Sequence, residues 1–137
     1  MKNKILAVDD DPTALGALRQ ILAQKGYAVT LASTGEEALE RLADSTPDLV
    51  ILDVAMPGLS GFDTCRRIRE DPRTREIPVV FLTAKGLLTD MAEGQDAGSD
   101  LYLIKPVLAS KLIQMVGMFL SPAGPLAHLA TPEPVRS

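Results

Sequence analysis

Residues 5–15, ILAVDDDPTAL, carry the pattern that decides the fold and place three acidic residues at its edge. An apolar run, Ile5 to Val8, ends abruptly in Asp9, Asp10 and Asp11. Adjacent carboxylates repel each other in a folded protein, so their clustering needs a physical reason. Three interpretations of these aspartates are possible: a solvated turn, a helix cap or a cation site. The residues in the rest of the chain distinguish among them.

Short apolar, β-branched runs alternate with stretches of helical spacing along the chain. Five runs predict strands, at Ile5–Val8, Ala28–Ala32, Leu49–Leu52, Val79–Leu82 and Leu101–Ile104. The first, third and fourth are apolar almost throughout, as strands buried on both faces are. Five helices are predicted within residues 12–26, 33–45, 62–71, 89–97 and 109–120. This alternation predicts right-handed βαβ units and an α/β fold, a doubly wound parallel sheet with helices on both faces.

Local signals mark how three of these helices begin and face. Asp11 stands directly before a proline, which suits an N-cap followed by proline at the first helical position. Thr34 and Glu37 have the spacing of a capping box at the start of the second helix. In the third helix we expect Cys65 and Ile68 to face inward and the arginines to face outward.

Composition limits the class of protein. The chain has 137 residues, of which 46% are hydrophobic and 23% charged, and this predicts a globular chain with one domain. A net charge of −4 without a basic stripe argues against a nucleic-acid surface. Cys65 is the single cysteine, so no internal disulfide can form and a reducing compartment is favoured. No apolar run reaches the length of a signal peptide core or a membrane span, and we expect a cytoplasmic protein.

The last residues differ in character from the rest. Residues 122–137 contain four prolines and show no periodic apolar face. They predict a Pro-rich flexible tail or linker that follows a domain spanning residues 1–121. His128, the single histidine, lies in this segment and is interpreted as incidental.

Polar residues follow four of the five predicted strands. Asp9 and Asp10 follow the first, Asp53 the third, Thr83 the fourth and Lys105 the fifth. In open α/β sheets ligands bind at the carboxyl ends of the strands. Carboxylate oxygens suit Mg²⁺, lysine supplies a positive charge for a phosphoryl group, and an aspartate can act as a nucleophile. The set therefore predicts a magnesium-dependent phosphoryl site.

Four segments, in order, give the chain a resemblance to a known family. They are ILAVDDDP (5–12), LVILDVAMPGLSGFD (49–63), PVVFLTA (78–84) and AGSDLYLIKPV (97–107). Over residues 1 to about 120 the chain resembles a response-regulator receiver domain, the phospho-accepting module of two-component signalling and phosphorelays. The resemblance implies a flavodoxin-like sheet of five parallel strands in the order 2-1-3-4-5, flanked by five helices.

The resemblance also implies roles for the acidic residues. Asp53 is then the phosphoacceptor, and Asp10, Asp53 and the backbone carbonyl of Ala55 bind Mg²⁺ directly, with Asp9 acting through water. Ala55 and Lys85 occupy two positions that tune phosphoryl lifetime in this family. Because neither offers a carboxylate or amide to orient an attacking water, we expect slow self-dephosphorylation.

Three further residues receive roles from the same resemblance. Lys105 pairs with the phosphoryl oxygens, and Thr83 bonds the phosphoryl group once it arrives. Tyr102 is the aromatic switch residue whose ring follows Thr83. A cis peptide bond between Lys105 and Pro106 is also implied, in keeping with the preference of cis bonds for proline.

The function implied is a phospho-accepting signalling switch that catalyses only its own phosphorylation and dephosphorylation, and is otherwise no enzyme. A histidine kinase or a histidine phosphotransfer protein would donate the phosphoryl group. The surface of the fourth helix, fifth strand and fifth helix would then change its affinity for a downstream protein target. The fifth helix is rich in apolar residues, which fits a well-buried helix or a partner surface, including that of a homodimer. We expect no direct contact with nucleic acid or membrane.

Three alternatives remain beside this interpretation. A magnesium-dependent phosphohydrolase of the haloacid-dehalogenase type would need a second aspartate where Ala55 stands, and an acidic pair after the nucleophile instead of before it. An interaction module with a degenerate site is disfavoured by the intact set of Asp10, Asp53, Thr83 and Lys105. A receiver fragment of a longer regulator with a missing output domain stays open.

Overall fold

The computed structural model describes residues 3–84 and 88–120, with residues 88–90 described by their backbone alone. Within these residues five strands and five helices alternate. The strands are β1 (Lys4–Val8), β2 (Ala28–Ala32), β3 (Leu49–Leu52), β4 (Val79–Thr83) and β5 (Leu101–Ile104). The helices are α1 (Pro12–Gln24), α2 (Gly35–Asp44), α3 (Gly61–Glu70), α4 (Leu88–Asp96) and α5 (Ala109–Leu120). The predictions for Lys85, His128 and segment 122–137 lie outside the described residues.

The strands form one parallel sheet in the order β2-β1-β3-β4-β5, which confirms the predicted fold class. The strand order reverses at β1, which pairs with β2 on one side and β3 on the other. Such a reversal leaves a crevice at the carboxyl ends of the two central strands. Val8 lies opposite Leu52, and the Asp53 N–H donates to the Val8 carbonyl at 2.9 Å. The residues that follow β1 and β3 therefore start at the same level of the crevice.

Side chains alternate between the two faces of the sheet, and each face has its own core. One core lies under α2 and α3 and includes Leu6, Val8, Val50, Leu52, Val79, Phe81, Phe62, Cys65 and Ile68. The other lies under α1 and α5 and includes Ile5, Ala7, Leu49, Ile51, Val80, Leu15, Leu18, Leu22, Leu112, Met115 and Val116. Because both faces are covered, all four residues of β3 are buried, as its uniformly apolar sequence predicts. Among residues 3–84 and 88–120, every helix falls short of the length and apolarity needed to cross a membrane.

The predicted helix caps are present. Asp11 caps α1, where its side chain accepts a hydrogen bond from the Thr13 N–H at 3.0 Å. Thr34 caps α2 by accepting from the Glu37 N–H at 3.0 Å. The Glu37 side chain reaches back to the Ser33 N–H at 2.8 Å, one residue earlier than the usual capping box. These caps fix the starts of the helices that follow β1 and β2.

The expectation that the arginines of α3 face outward is wrong for Arg69. Arg67 is exposed, but Arg69 is half-buried and its guanidinium donates to backbone carbonyls. Its nitrogens donate to the Ile77 carbonyl at 2.6 Å and the Gly98 carbonyl at 2.7 Å, and to the Asp100 carboxylate at 2.9 Å. A guanidinium has five donors in a planar fork, so one side chain can join several chain segments. Arg69 thus fastens α3 to the segments that lead into β4 and β5.

Candidate functional site

The candidate site lies at the carboxyl edge of the sheet, where four strands end side by side. Asp9 directly follows β1, Asp53 follows β3, Thr83 is the last residue of β4 and Lys105 follows β5. The parallel register places these ends at one edge, as the sequence predicts. The Lys105 N–H donates to the Thr83 carbonyl at 2.7 Å, which ties the β5 end of the site to β4.

Three carboxylates meet at this edge. One oxygen each from Asp9, Asp10 and Asp53 lies within 4.8 Å of the others. Asp9 is 2% exposed and Asp53 is 8% exposed, whereas Asp10 is exposed to solvent. A set of hard oxygen donors with one face open to water is the donor chemistry that Mg²⁺ prefers. The structure therefore places the predicted metal-binding acids where they could share one ion.

Asp9 is held by two partners. Its Oδ2 accepts a hydrogen bond from Lys105 Nζ at 2.6 Å, and its Oδ1 accepts from the Asp11 N–H at 3.0 Å. Burial alone would lower the pKa of Lys105, but the hydrogen bond and charge of Asp9, with the charges of Asp53 and Asp11, outweigh it and raise the pKa. Lys105 is therefore a fixed ammonium at neutral pH. Lys105 Nζ pairs with Asp9, one of the three carboxyl groups, so a cation could still join the oxygens of Asp10 and Asp53.

Asp53 lies at the centre of the site. Its Oδ1 accepts from the Val54 N–H at 2.8 Å, and the Thr83 hydroxyl hydrogen-bonds to its side chain. Burial and the charge of Asp9 raise its pKa, while Thr83, the Lys105 charge and the Val54 N–H act in the opposite sense. A carboxylate with a raised pKa in an electronegative crevice is stabilised by any positive charge that joins it.

Ala55 and Tyr102, the two remaining predicted site residues, lie on different elements of the chain. Ala55 is exposed in the loop after β3, two residues beyond Asp53, and its carbonyl as a metal ligand stays a prediction. Tyr102 lies in β5 opposite Phe81, with ring centroids 5.9 Å apart and the Tyr102 ring partly buried. Since Thr83 follows Phe81 by two residues on the same strand, Tyr102 and Thr83 lie on the same face of the sheet. The role of Tyr102 as a switch also stays a prediction. The cis peptide between Lys105 and Pro106 is confirmed.

Sequence reasoning missed the residues that shape the loop after Asp53. Gly61 begins α3 directly beside the strand end, and a Cβ there would overlap the Asp53 carbonyl oxygen. Glu36, in the first turn of α2, accepts a hydrogen bond from the Leu59 N–H at 3.1 Å. The available signal was the pair of glycines, Gly35 and Gly61, each directly after an N-cap residue. Glycine at such positions marks a close approach of backbone to backbone.

The chain matches the model of the response regulator receiver domain over residues 5–117. It is 41% identical over 103 residues to the transcriptional regulatory protein AfsQ1 of Streptomyces coelicolor, covering 75% of this chain and 44% of that protein. The chain thus spans about half the length of the curated relatives that it matches.

Solved structures agree in fold. A response regulator from Chloroflexus aurantiacus, described as putative, superposes with a TM-score of 0.82 at 38% identity, covering 85% of this chain and 96% of that one. The receiver domain of the sensor histidine kinase PA1611 from Pseudomonas aeruginosa superposes with a TM-score of 0.80 at 30% identity, again covering 85% and 96%. That structure holds a magnesium ion coordinated in its active-site cleft.

Proposed function

The chain belongs to the response regulator receiver domain family, and from this premise we propose that Asp53 accepts a phosphoryl group in a magnesium-dependent reaction. Members of this family are signalling modules of two-component systems. The single observation that carries the proposal is the convergence on Asp53 of two further carboxylates, a lysine and a threonine hydroxyl. The family match also removes support from the phosphohydrolase alternative.

Asp53 is the nucleophile of the proposed reaction. A carboxylate oxygen attacks phosphorus, an O–P bond forms, and the bond between phosphorus and the leaving group breaks. With phosphohistidine as donor the P–N bond breaks, and the leaving imidazole nitrogen keeps the electron pair and takes up a proton from solvent. The Val54 N–H holds one Asp53 oxygen in place at 2.8 Å. The reaction conserves one phosphoryl group, so the chain acts as acceptor and switch.

The acidic residues fit a resident Mg²⁺. Asp10, Asp53 and the Ala55 carbonyl would hold the ion directly and Asp9 would do so through water. When bound, it would supply positive charge for the phosphoryl oxygens. Lys105 would release the Asp9 carboxylate and direct its ammonium to the phosphoryl oxygens, since a phosphoryl group brings more negative charge than the carboxylate it modifies.

We propose that phosphorylation at the site is transmitted through β5 as a conformational change. Thr83 would turn toward the phosphoryl group, Tyr102 would follow, and the surface of α4, β5 and α5 would change its affinity for a partner. Support comes from exposed apolar residues on that surface, since Ile104 is 44% exposed, Leu108 72% and Met118 39%. The proposed partners are a histidine kinase or phosphotransfer protein, a downstream protein and a second copy of this chain.

The domain organisation is also a proposal. Residues 1–121 would form the receiver, and 122–137 a Pro-rich tail or linker. The relative AfsQ1 is a transcriptional regulatory protein, and more than half of its length lies beyond the match. The expectation of no direct nucleic-acid contact is therefore confined to the receiver itself, and the slow dephosphorylation expected from Ala55 and Lys85 stays a prediction.

A phosphotransfer assay tests the proposal. The protein is incubated with Mg²⁺ and acetyl phosphate, and intact mass is measured. We expect the mass of one added phosphoryl group, which disappears with EDTA and in Asp53→Asn. The matched control is Asp44→Asn, because Asp44 is an exposed acid lining a cavity with Lys4 and Ile5 at the other edge of the sheet. A mass gain retained in Asp53→Asn, or missing from the unmodified chain, would contradict the proposal.

A further inference from the structure

The loop that follows Asp53, residues 54–60, is held at its base and at its tip by different contacts. At the base, the Gly61 N–H donates to the Val54 carbonyl at 2.9 Å. At the tip, the Leu59 N–H donates to Glu36 Oε2 at 3.1 Å, across 23 residues of sequence. The tip of the loop is therefore fastened to α2 by a side chain that belongs to no strand of the site.

The contact between Glu36 and the loop is close on both sides of this hydrogen bond. Gly58 has a φ of +76°, and a Cβ placed there would lie 3.0 Å from Glu36 Oε2. On the other side, a Cβ at Gly35 would lie 2.9 Å from the Leu59 carbonyl oxygen. The carboxylate of Glu36 thus lies directly on the turn at Gly58, where only glycine leaves room for it.

The neighbouring acid, Glu37, has a different task. Its side chain accepts from the Ser33 N–H at 2.8 Å and from Arg41 Nη2 at 2.9 Å, contacts that lie within α2 and its cap. Together with Thr34 it completes the helix start. The helix cap therefore does not need Glu36. The long-range contact of Glu36 with the loop is not explained by capping and points to a different role for this residue.

We propose that Glu36 is a positioning residue for the Asp53 site. By fixing the tip of the loop it holds the backbone next to Asp53, including the Ala55 carbonyl, in the arrangement that receives the metal ion. This inference rests on the proposed function, because it assigns Glu36 to the magnesium site proposed there. The residue acts through the loop backbone and touches neither metal nor phosphoryl group. Residues that orient ligands in this way commonly alter metal affinity when they are removed.

Calorimetric titration with Mg²⁺ tests the proposal on three variants. We expect Glu36→Ala to bind Mg²⁺ about 5-fold more weakly, the effect of losing one ordinary hydrogen bond. Glu36→Gln keeps an oxygen acceptor for the Leu59 N–H and should stay within about 2-fold of the unmodified chain. Glu40→Ala is the matched control, because Glu40 is an exposed glutamate on the same helix. It should leave Mg²⁺ affinity unchanged.

Hydrogen exchange of the Leu59 amide gives a second readout that needs no metal. In Glu36→Ala this amide should exchange about 5-fold faster than in the unmodified chain, since its acceptor is lost. Glu36→Gln and Glu40→Ala should not change it. Urea unfolding of all variants establishes that the fold is intact.

The outcomes separate this inference from the proposed function. If the unmodified chain binds Mg²⁺ and Asp53→Asn does not, while Glu36→Ala binds as tightly as the unmodified chain, the positioning role is overturned and the proposed function stands. Equal weakening by Glu36→Gln and Glu36→Ala would assign the effect to charge and also overturn it. If the unmodified chain binds no Mg²⁺, the proposed function fails and this inference fails with it.

Discussion

Two regions of the molecule differ in how firmly they are packed. The inner region comprises β1, β3 and the loops after them, residues 9–11 and 53–60, and the outer region comprises β5, residues 106–108 and the exposed face of α5. All of β3 and the last four residues of β1 are buried. In β5 no residue is fully buried, and Ile104 is 44% exposed.

The inner loops are held by hydrogen bonds to carboxylates, whereas apolar side chains of the outer region are exposed to solvent. In the inner region carboxylates accept hydrogen bonds from the Asp11, Thr13 and Leu59 N–H groups. In the outer region Leu108 is 72% exposed and Met118 39%. Segments with few buried contacts rearrange at a lower free-energy cost than the packed core. Nucleophilic chemistry needs fixed geometry, whereas a signalling output needs a surface that can change. In the proposed function, these two requirements are met by two separate regions of one sheet.

The largest expected effect compares one leucine from each region on the same face of the sheet. Leu49 in β3 is 0% exposed, and Leu103 in β5 packs against the same core but is partly exposed. Leu49→Ala should lower the free energy of unfolding by about 3 kcal/mol, because it leaves a cavity that cannot collapse. Leu103→Ala should cost about 1 kcal/mol, since less surface leaves water when it folds. Urea unfolding followed by circular dichroism measures both, and equal losses would refute the packing difference.

The second-largest expected effect concerns the buried carboxyl group of Asp53 in the inner region. The pKa of Asp53 is raised by burial and by the Asp9 charge, so the folded state binds its proton more tightly than the unfolded chain does. In buffer without Mg²⁺, the contribution of Asp53 to the stability of the unmodified chain should therefore fall as pH rises from below the ordinary aspartate pKa through the raised value. Asp53→Asn carries no charge and should be more stable at neutral pH by about 1 kcal/mol.

Unfolding of Asp53→Asn at acidic and neutral pH checks the sign of this effect. The advantage of the variant should vanish below the ordinary aspartate pKa, where the side chain is protonated in both states. Asp44→Asn, at an exposed position, should show no such pH-dependent gain. If Asp53→Asn is less stable than the unmodified chain at neutral pH, the hydrogen bonds that the Asp53 carboxylate accepts outweigh the free-energy cost of burying its charge.

Much of the secondary structure could be predicted from the sequence, and most closely in the inner region. The uniformly apolar run at Leu49–Leu52 predicted a central strand, and β3 has those bounds. The run at Val79–Leu82 was extended by one residue, since Thr83 completes β4. The fourth helix begins at Leu88 and ends at Asp96, one residue earlier at each end than predicted. Periodicity fixes the existence of an element better than its boundaries, because end residues depend on local capping.

The contacts that individual side chains make with distant segments could not be predicted from the sequence. The resemblance implied that Lys105 pairs with phosphoryl oxygens, and the structure shows its ammonium on Asp9. Arg69 was expected to face outward with the other arginines of α3, but its guanidinium donates hydrogen bonds to three carbonyls and to the Asp100 carboxylate. Long flexible side chains choose their partners only after the loops that carry those partners are placed, so pattern reasoning assigns their element and not their contacts.

The smallest expected effect belongs to the outer region. Leu108 is 72% exposed and lines a surface cavity of about 530 Å³ with Lys111 and Met115. Because its side chain keeps most of its contact with water, Leu108→Ser should change the free energy of unfolding by less than about 0.5 kcal/mol. Leu112→Ser, one turn later in α5 and 3% exposed, is the matched control and should cost several times more.

A larger loss in Leu108→Ser would change the comparison, because it would mean that Leu108 is covered in solution. Repeating the unfolding at two protein concentrations identifies the cover. A loss that grows with concentration assigns it to a second copy of the chain, because association stabilises the folded state by mass action. A loss independent of concentration assigns it to the chain itself. Either result would make the outer region a packed surface and remove the low rearrangement cost on which its proposed output role depends.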